Sequence, residues 1–193
     1  MTDTNKRFLT TYNMVLIAIS AAVITVCAWI TVPVGPVPFT LQTMGILIVL
    51  TATGGKRGSI AVLLYLLLGL IGIPVFAGFK GGPASLIGPT GGFLIGFLLG
   101  GAVFFIFEKL IFAKLMTSAS GRIIWGIVNS VIFEIVMYAV GVIWFIAVYG
   151  RQTGPIGLGA VMSMCVIPFL IPDVIKLVIA AVAGERISRI IKP

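Results

Sequence analysis

The chain has 193 residues, of which 60% are hydrophobic and only 9% charged, and it carries 13 Lys and Arg against 5 Asp and Glu for a net charge of +8. Soluble domains hold about 25% charged residues, so this composition, with a mean hydropathy of +1.23, excludes a water-soluble globule and reads as one integral membrane bundle. The sequence contains no histidine, which excludes histidine-based metal sites, triads and proton shuttles.

Six apolar segments follow one another, at about 12–32, 39–53, 59–76, 91–107, 122–149 and 157–183. They predict an all-α membrane protein: a single domain spanning 1–193, built as six transmembrane helices. Lys6 and Arg7 precede the first segment. That segment is longer than the apolar core of a signal peptide and lacks an Ala-x-Ala cleavage pattern, so it reads as a retained helix. Ala18 and Ala22 lie one turn apart on it, a small-residue step that by itself indicates close helix packing. The second segment is short for a span and carries Gln42, a polar residue expected to hydrogen-bond inward. The sixth is interrupted by Pro168 and Pro172.

Basic residues cluster at the segment ends. With six alternating helices, Lys6, Arg7, Lys56, Arg57, Lys109, Lys114, Arg122, Arg186, Arg189 and Lys192 fall on one side, and only Lys80 and Arg151 on the other. Cytoplasmic loops carry the excess of Lys and Arg, so both termini are expected in the cytoplasm. The same distribution argues against nucleic acid as a partner, because no basic stripe is interleaved with aromatics in a polar region.

The connections on the opposite side are rich in glycine and proline. Pro33-Val34-Gly35-Pro36-Val37-Pro38 joins the first two segments, and Ala77-Gly78-Phe79-Lys80-Gly81-Gly82-Pro83 leads to Gly88-Pro89-Thr90-Gly91-Gly92 before the fourth. They read either as tight surface turns or as a wall over a pocket, since irregular backbone dips into a bundle only where protein or water satisfies it. Gly88, Gly92, Gly96 and Gly100 repeat every four residues, a stripe that reads as helix packing.

Little catalytic chemistry is available. Gly54-Gly55-Lys56-Arg57 lacks the upstream glycine and the following Ser or Thr of a phosphate-binding loop, so ATP hydrolysis by this chain is not expected. Cys27 and Cys165 form no CxxC motif, and neither a metal nor another cofactor is implied. Two acids lie within apolar segments: Glu134, and Asp173, which precedes Lys176 by three residues. Asp173 lies 11 residues before Gly184, roughly 16 Å along a helix and so near the middle of a hydrocarbon layer about 30 Å thick. Charge at that depth is costly unless it is paired or faces a polar cavity. Asp173 and Lys176 share a helix face, either as a mutually neutralising staple or as one anion and one cation offered to a polar solute. Glu134 is expected to pair with Lys176 or to line the same cavity, and it is a candidate for coupled protonation. Tyr138 lies deep enough to face the interior, six residues before Trp144.

Four stretches together carry a resemblance: Pro36-Val37-Pro38-Phe39-Thr40-Leu41-Gln42-Thr43, Gly88-Pro89-Thr90-Gly91-Gly92-Phe93-Leu94-Ile95-Gly96-Phe97, Tyr138-Ala139-Val140-Gly141-Val142-Ile143-Trp144 and Pro172-Asp173-Val174-Ile175-Lys176. In this order they resemble the signatures of the BioY family, the biotin-binding S components of energy-coupling-factor (ECF) vitamin transporters. The resemblance implies six helices with both termini inside, and a biotin pocket facing outward between the last three helices and the two outer loops. It also implies that ATP is hydrolysed elsewhere, on two ATPase subunits joined to a transmembrane coupling subunit. The site residues it marks, beside those read from the sequence, are Asp173, Lys176, Lys80, Gly91, Gly92, Gln42, Tyr138, Trp144 and Glu134. Ala18 and Ala22 then resemble the patch on which S components dock the coupling subunit. Lys80 and Leu94 stand where some relatives carry a different polar residue and an arginine. A proton-coupled secondary transporter for biotin, an S component for another vitamin and an intramembrane enzyme are the alternatives.

Overall fold

The structure, a computed structural model, describes residues 10–115 and 118–191, with side chains for all of these except 111–115. Of the basic residues that set the charge bias, Lys6, Arg7, Lys192 and the side chain of Lys114 lie outside the described residues. In chain order the elements are α1 (Thr11–Trp29), β1 (Thr31–Val32), β2 (Phe39–Thr40), α2 (Gln42–Thr53), α3 (Gly55–Leu70), a 3-10 turn (Ala77–Phe79), α4 (Pro83–Ile87), α5 (Gly91–Leu115), α6 (Ala119–Thr153), α7 (Leu158–Cys165) and α8 (Ile167–Ile191). Among the described residues the regular structure is all-helical apart from one two-stranded ribbon. Helices α1, α5, α6 and α8 are long and apolar enough to cross a bilayer.

Several segment ends differ from the sequence expectation, each for a local reason. The first helix stops at Trp29 rather than near 32, because Thr31 and Val32 pair antiparallel with Thr40 and Phe39. Apolar β-branched residues keep hydropathy high while favouring extended backbone. The second helix therefore starts at Gln42 rather than 39, with the Thr40 hydroxyl oxygen accepting from the Gln42 N–H at 3.2 Å. The third occupies 55–70, not 59–76. A single glycine, Gly54 at φ +87°, separates it from α2, and the Glu108 carboxylate accepts the N–H of Gly55. At its far end Gly72, at φ +100°, lets the N–H of Ile73 reach back to the Leu68 carbonyl at 3.1 Å. That left-handed close ends a helix, and Pro74 follows it.

Helices α5 and α6 outrun their expected ends of 107 and 149, reaching Leu115 and Thr153. Ser118 caps α6 by accepting the Gly121 N–H at 3.0 Å. The sixth segment breaks at Val166 (φ −126°, ψ −60°), not at its prolines. Pro168 sits in the first turn of α8, where the missing N–H has no helical partner to lose, and Pro172 is carried inside α8.

Helix α5 packs along α6, and α2 lies against α8 with α1 and α3 beside it. The glycine stripe is the reason α5 and α6 approach so closely. A Cβ on Gly96 would stand 2.9 Å from the Met137 Cα, and one on Gly100 would stand 2.7 Å from the Phe133 ring. Buried between the helices are Ile24, Ile46, Leu47, Leu50, Val62, Tyr65, Phe133 and Phe145. The outer surface is apolar too: α8 exposes Ile171, Val174, Ile175, Val178 and Ile179, while burying Asp173, Lys176, Leu177, Ala180 and Ala181. Charge inside and aliphatic residues outside is the arrangement that lipid demands, since hydrocarbon cannot solvate the charged face.

Candidate ligand-binding site

A cavity of about 570 Å³ opens among the β1–β2 connection, the segment between α3 and α5, and helices α5, α6, α7 and α8. Each wall follows from local sequence. The prolines at 36 and 38 hold one rim extended, and Thr40, Gln42 and Thr43 continue it into the start of α2. The stretch from Phe76 to Thr90 closes a second side, fastened by the Phe76 N–H to the Lys80 carbonyl at 2.9 Å and by Gly82 N–H to the Gly69 carbonyl at 2.7 Å. The Trp29 indole donates to the Pro74 carbonyl at 2.8 Å and stacks on Phe79, tying this stretch to α1. The remaining walls are aromatic or aliphatic: Phe93, Leu94 and Phe97 from α5, Met137 from α6 and Phe169 from α8.

The polar groups gather at one place. Asp173 accepts a hydrogen bond from Lys176 Nζ at 2.8 Å and another from the Tyr138 hydroxyl. Lys176 Nζ also lies 4.0 Å from the centre of the Phe39 ring, a cation–π position. Asp173 and Lys176 are only 4% and 5% exposed, yet both line the cavity. Their charges therefore lie out of bulk water but within reach of a ligand. Phe39 stacks parallel to Phe169 at 6.4 Å, and Phe93 meets Tyr138 edge-on at 6.4 Å. The pair and the tyrosine are thus framed by rings.

Of the residues marked in the sequence, the cavity brings together Gln42, Lys80, Tyr138, Asp173 and Lys176. Gln42 is buried, with its side chain next to the Tyr65 hydroxyl. Lys80 is exposed and, among the described residues, makes no ion pair. Gly91, Gly92 and Trp144 stand behind the wall instead. The Trp144 indole donates to the Gly88 carbonyl at 3.0 Å, and a side chain on Gly92 would run into the Trp144 Cβ and ring. These three residues brace Gly88, Pro89 and Thr90, which do line the cavity.

Glu134 lies one turn before Tyr138 on α6, buried but outside the lining. Lys176 pairs with Asp173 rather than with Glu134, because the i, i+3 geometry on α8 brings Asp173 within bonding distance first. The Glu134 Oε1 has no partner among the described residues. Asn129, also on α6, donates to the Phe104 carbonyl at 3.0 Å. Ala18 and Ala22 are exposed on α1, on the side away from the bundle.

Thr43, Phe76, Ser85, Met137, Cys165 and Phe169 line the cavity without having been singled out. A face at intervals of four, Cys165, Phe169 and Asp173, is the sequence signal for two of them. The others are ordinary apolar or hydroxyl residues until the fold places them.

The fold and the cavity define a class: a membrane-embedded, all-helical solute-binding protein whose site is an apolar pocket with one buried, hydrogen-bonded charge pair. The comparisons narrow the class. The whole chain, residues 1–193, matches the BioY family, and the chain belongs to that family. It is 37% identical over 178 residues to a biotin transporter BioY of Thermotoga maritima, covering 92% of this chain and 96% of that one. It is 34% identical over 173 residues to a probable biotin transporter BioY of Pyrococcus horikoshii, covering 90% and 94%. A crystal structure of the S-component for biotin from an ECF-type ABC transporter superposes with a TM-score of 0.77 at 31% identity, covering 98% of this chain and 95% of the other.

Proposed function

We propose that this chain is the biotin-binding S component of an ECF-type ABC transporter. It captures biotin outside the cell and delivers it through an ATP-driven coupling module. The observation that carries the reading is the buried Asp173–Lys176 pair facing the cavity with the Tyr138 hydroxyl. The ureido group of biotin has two N–H donors and one carbonyl acceptor. Asp173 takes a ureido N–H, and Lys176 donates to the ureido carbonyl while balancing Asp173. The thiophane ring and valeryl chain lie against Phe93, Phe97 and Phe169. The carboxylate is held by the exposed Lys80, which makes no ion pair among the described residues, and Gln42 supplies a further amide donor. Gly91, Gly92 and Trp144 act on the ligand through the wall they brace.

In the membrane the chain is one six-helix domain: α1, α2, α3, α5, α6 and α7 with α8 make the six spans, and both termini lie in the cytoplasm. The charge bias supports this orientation. The exposed strip of Ala18 and Ala22 docks the transmembrane coupling subunit, and two ATPase subunits on that module hydrolyse ATP.

Reconstitution tests the proposal. Vesicles holding the chain with the coupling and ATPase subunits should accumulate biotin only when supplied with ATP. Robust uptake by the lone chain, collapsed by a protonophore, would instead favour a proton-driven carrier, with the unpartnered Glu134 Oε1 as its titrating group.

A further inference from the structure

A second cavity, of about 310 Å³, lies at the other end of α6 and α8 and shares no lining residue with the first. From Asp173 to Glu185 is twelve residues of α8, roughly 18 Å. Its polar lining is a built network. Glu185, 5% exposed, accepts from Arg122 Nε at 2.8 and 2.9 Å on its two oxygens and from Arg189 Nε at 3.0 Å. All three bonds come from Nε, and within the described residues the terminal nitrogens of both guanidiniums make no hydrogen bond. Trp125, 8% exposed, lines the same cavity, and its Nε1 is buried without an acceptor among the described residues. Ser188 adds a hydroxyl. Glu108, the other acid in the lining, is turned to the Gly55 N–H at the start of α3.

The inventory is unbalanced toward donors. Glu185 covers one N–H of each arginine, the other guanidinium N–H groups and the Trp125 N–H bond no acceptor among the described residues, and the lining also holds the Ser188 hydroxyl and the Glu108 carboxylate. Two guanidiniums about a common point select a tetrahedral oxyanion, whose several oxygens accept forked N–H pairs. Basic pockets between helices near the membrane surface are suited to phosphate head groups. The setting adds to this: Lys56, Arg57, Lys109 and Arg186 lie at the same end of the bundle. Trp125 is six residues from the start of α6, about 9 Å, the interfacial depth that indole rings favour.

We propose that this cavity is a phosphate-binding site, with Arg122, Arg189, Trp125 and Ser188 as donors and Glu185 as the buried anchor that orients both arginines. The phosphate is either the phosphodiester of an anionic lipid or free in solution, and the same chemistry serves both.

The test follows the indole N–H resonance of Trp125 in nitrogen-15-labelled protein in micelles, assigned by its loss in Trp125→Phe. Three compounds are titrated: dioctanoyl phosphatidylglycerol, inorganic phosphate, and uncharged dioctanoylglycerol. A saturable shift with phosphatidylglycerol alone assigns the site to lipid. A shift with inorganic phosphate as well assigns it to free phosphate. In either case the double variant Arg122→Gln/Glu185→Gln, which removes both partners of the ion pair together, should weaken the response by about tenfold or more. Arg189→Gln, at an exposed side chain, keeps the test available if the Arg122–Glu185 pair is needed for folding. The proposal is overturned if neither phosphate moves the resonance, if dioctanoylglycerol moves it equally, or if the arginine variants titrate like the wild type.

Discussion

Replacing Asp173 by Asn separates the ion pair's role in folding from its role in binding. The change keeps volume and one acceptor but removes the charge that faces Lys176 Nζ at 2.8 Å and takes the Tyr138 hydroxyl. Breaking a buried pair from one side costs about 3–5 kcal/mol, because the other charge is stranded. Here the stranded ammonium keeps the Phe39 ring at 4.0 Å, which offsets up to about 2 kcal/mol when desolvated. The net destabilisation expected for Asp173→Asn is therefore about 2 kcal/mol, and Lys176→Met, which strands the carboxylate with one hydroxyl donor, should cost about 3 kcal/mol. The double variant strands nothing, so it should fall within about 1 kcal/mol of wild type. Binding behaves differently. Every one of these variants loses a charge-assisted contact of about 2–3 kcal/mol, or roughly 30- to 150-fold in Kd. Thermal midpoints in detergent, measured beside radiolabelled biotin binding, provide both readouts. Stability losses that simply add in the double variant would refute the pairing argument. Wild-type affinity in a folded Asp173→Asn protein would remove that residue from the site.

Gly96→Ala should destabilise the protein by about 1 kcal/mol, because the 1 kcal/mol or so of helix propensity gained is outweighed by about 2 kcal/mol of overpacking against Met137 backbone 2.9 Å away; an unchanged thermal midpoint would contradict the close α5–α6 contact. Ala22→Trp should fold and bind biotin normally but fail to co-purify with the coupling subunit, since the position is exposed on α1; loss of binding in the isolated variant, with association intact, would reverse the assignment. Trp144→Phe removes the N–H that holds the Gly88 carbonyl at 3.0 Å and should weaken binding by about 1 kcal/mol through the wall, which calorimetry against wild type will show. Lys80→Ala should cost biotin roughly tenfold while leaving biotin methyl ester almost unaffected; equal losses for both ligands would detach Lys80 from the carboxylate.

The parts of the fold that hydropathy encodes were legible, and the parts set by backbone geometry were not. Helices α1, α5, α6 and α8 each overlap one apolar segment, α5 and α6 running past its end, and the inward-facing charges on α8 follow from what lipid tolerates. The ribbon of Thr31–Val32 with Phe39–Thr40 was hidden because Ile30, Thr31 and Val32 continue an apolar run whatever their conformation. The break at Val166 was hidden because the nearby prolines drew attention to positions that α8 accommodates. Within the site, charge and spacing pointed to Asp173 and Lys176, and depth pointed to Tyr138. The distinction between lining the cavity and bracing it was not readable. Gly92 and Trp144 belong to a conspicuous motif, yet they meet each other across α5 and α6. Glu134 is as costly to bury as Asp173, but only a three-dimensional arrangement shows that Lys176 is already taken.

Isothermal titration of the purified chain alone, without any partner subunit, against biotin, thiamine and riboflavin addresses the central claim most directly. The account predicts saturable binding of one biotin per chain, lost in Asp173→Asn/Lys176→Met, and no heat from thiamine or riboflavin. Binding of another vitamin in preference to biotin, or biotin binding that survives loss of both charges in a folded protein, would contradict it.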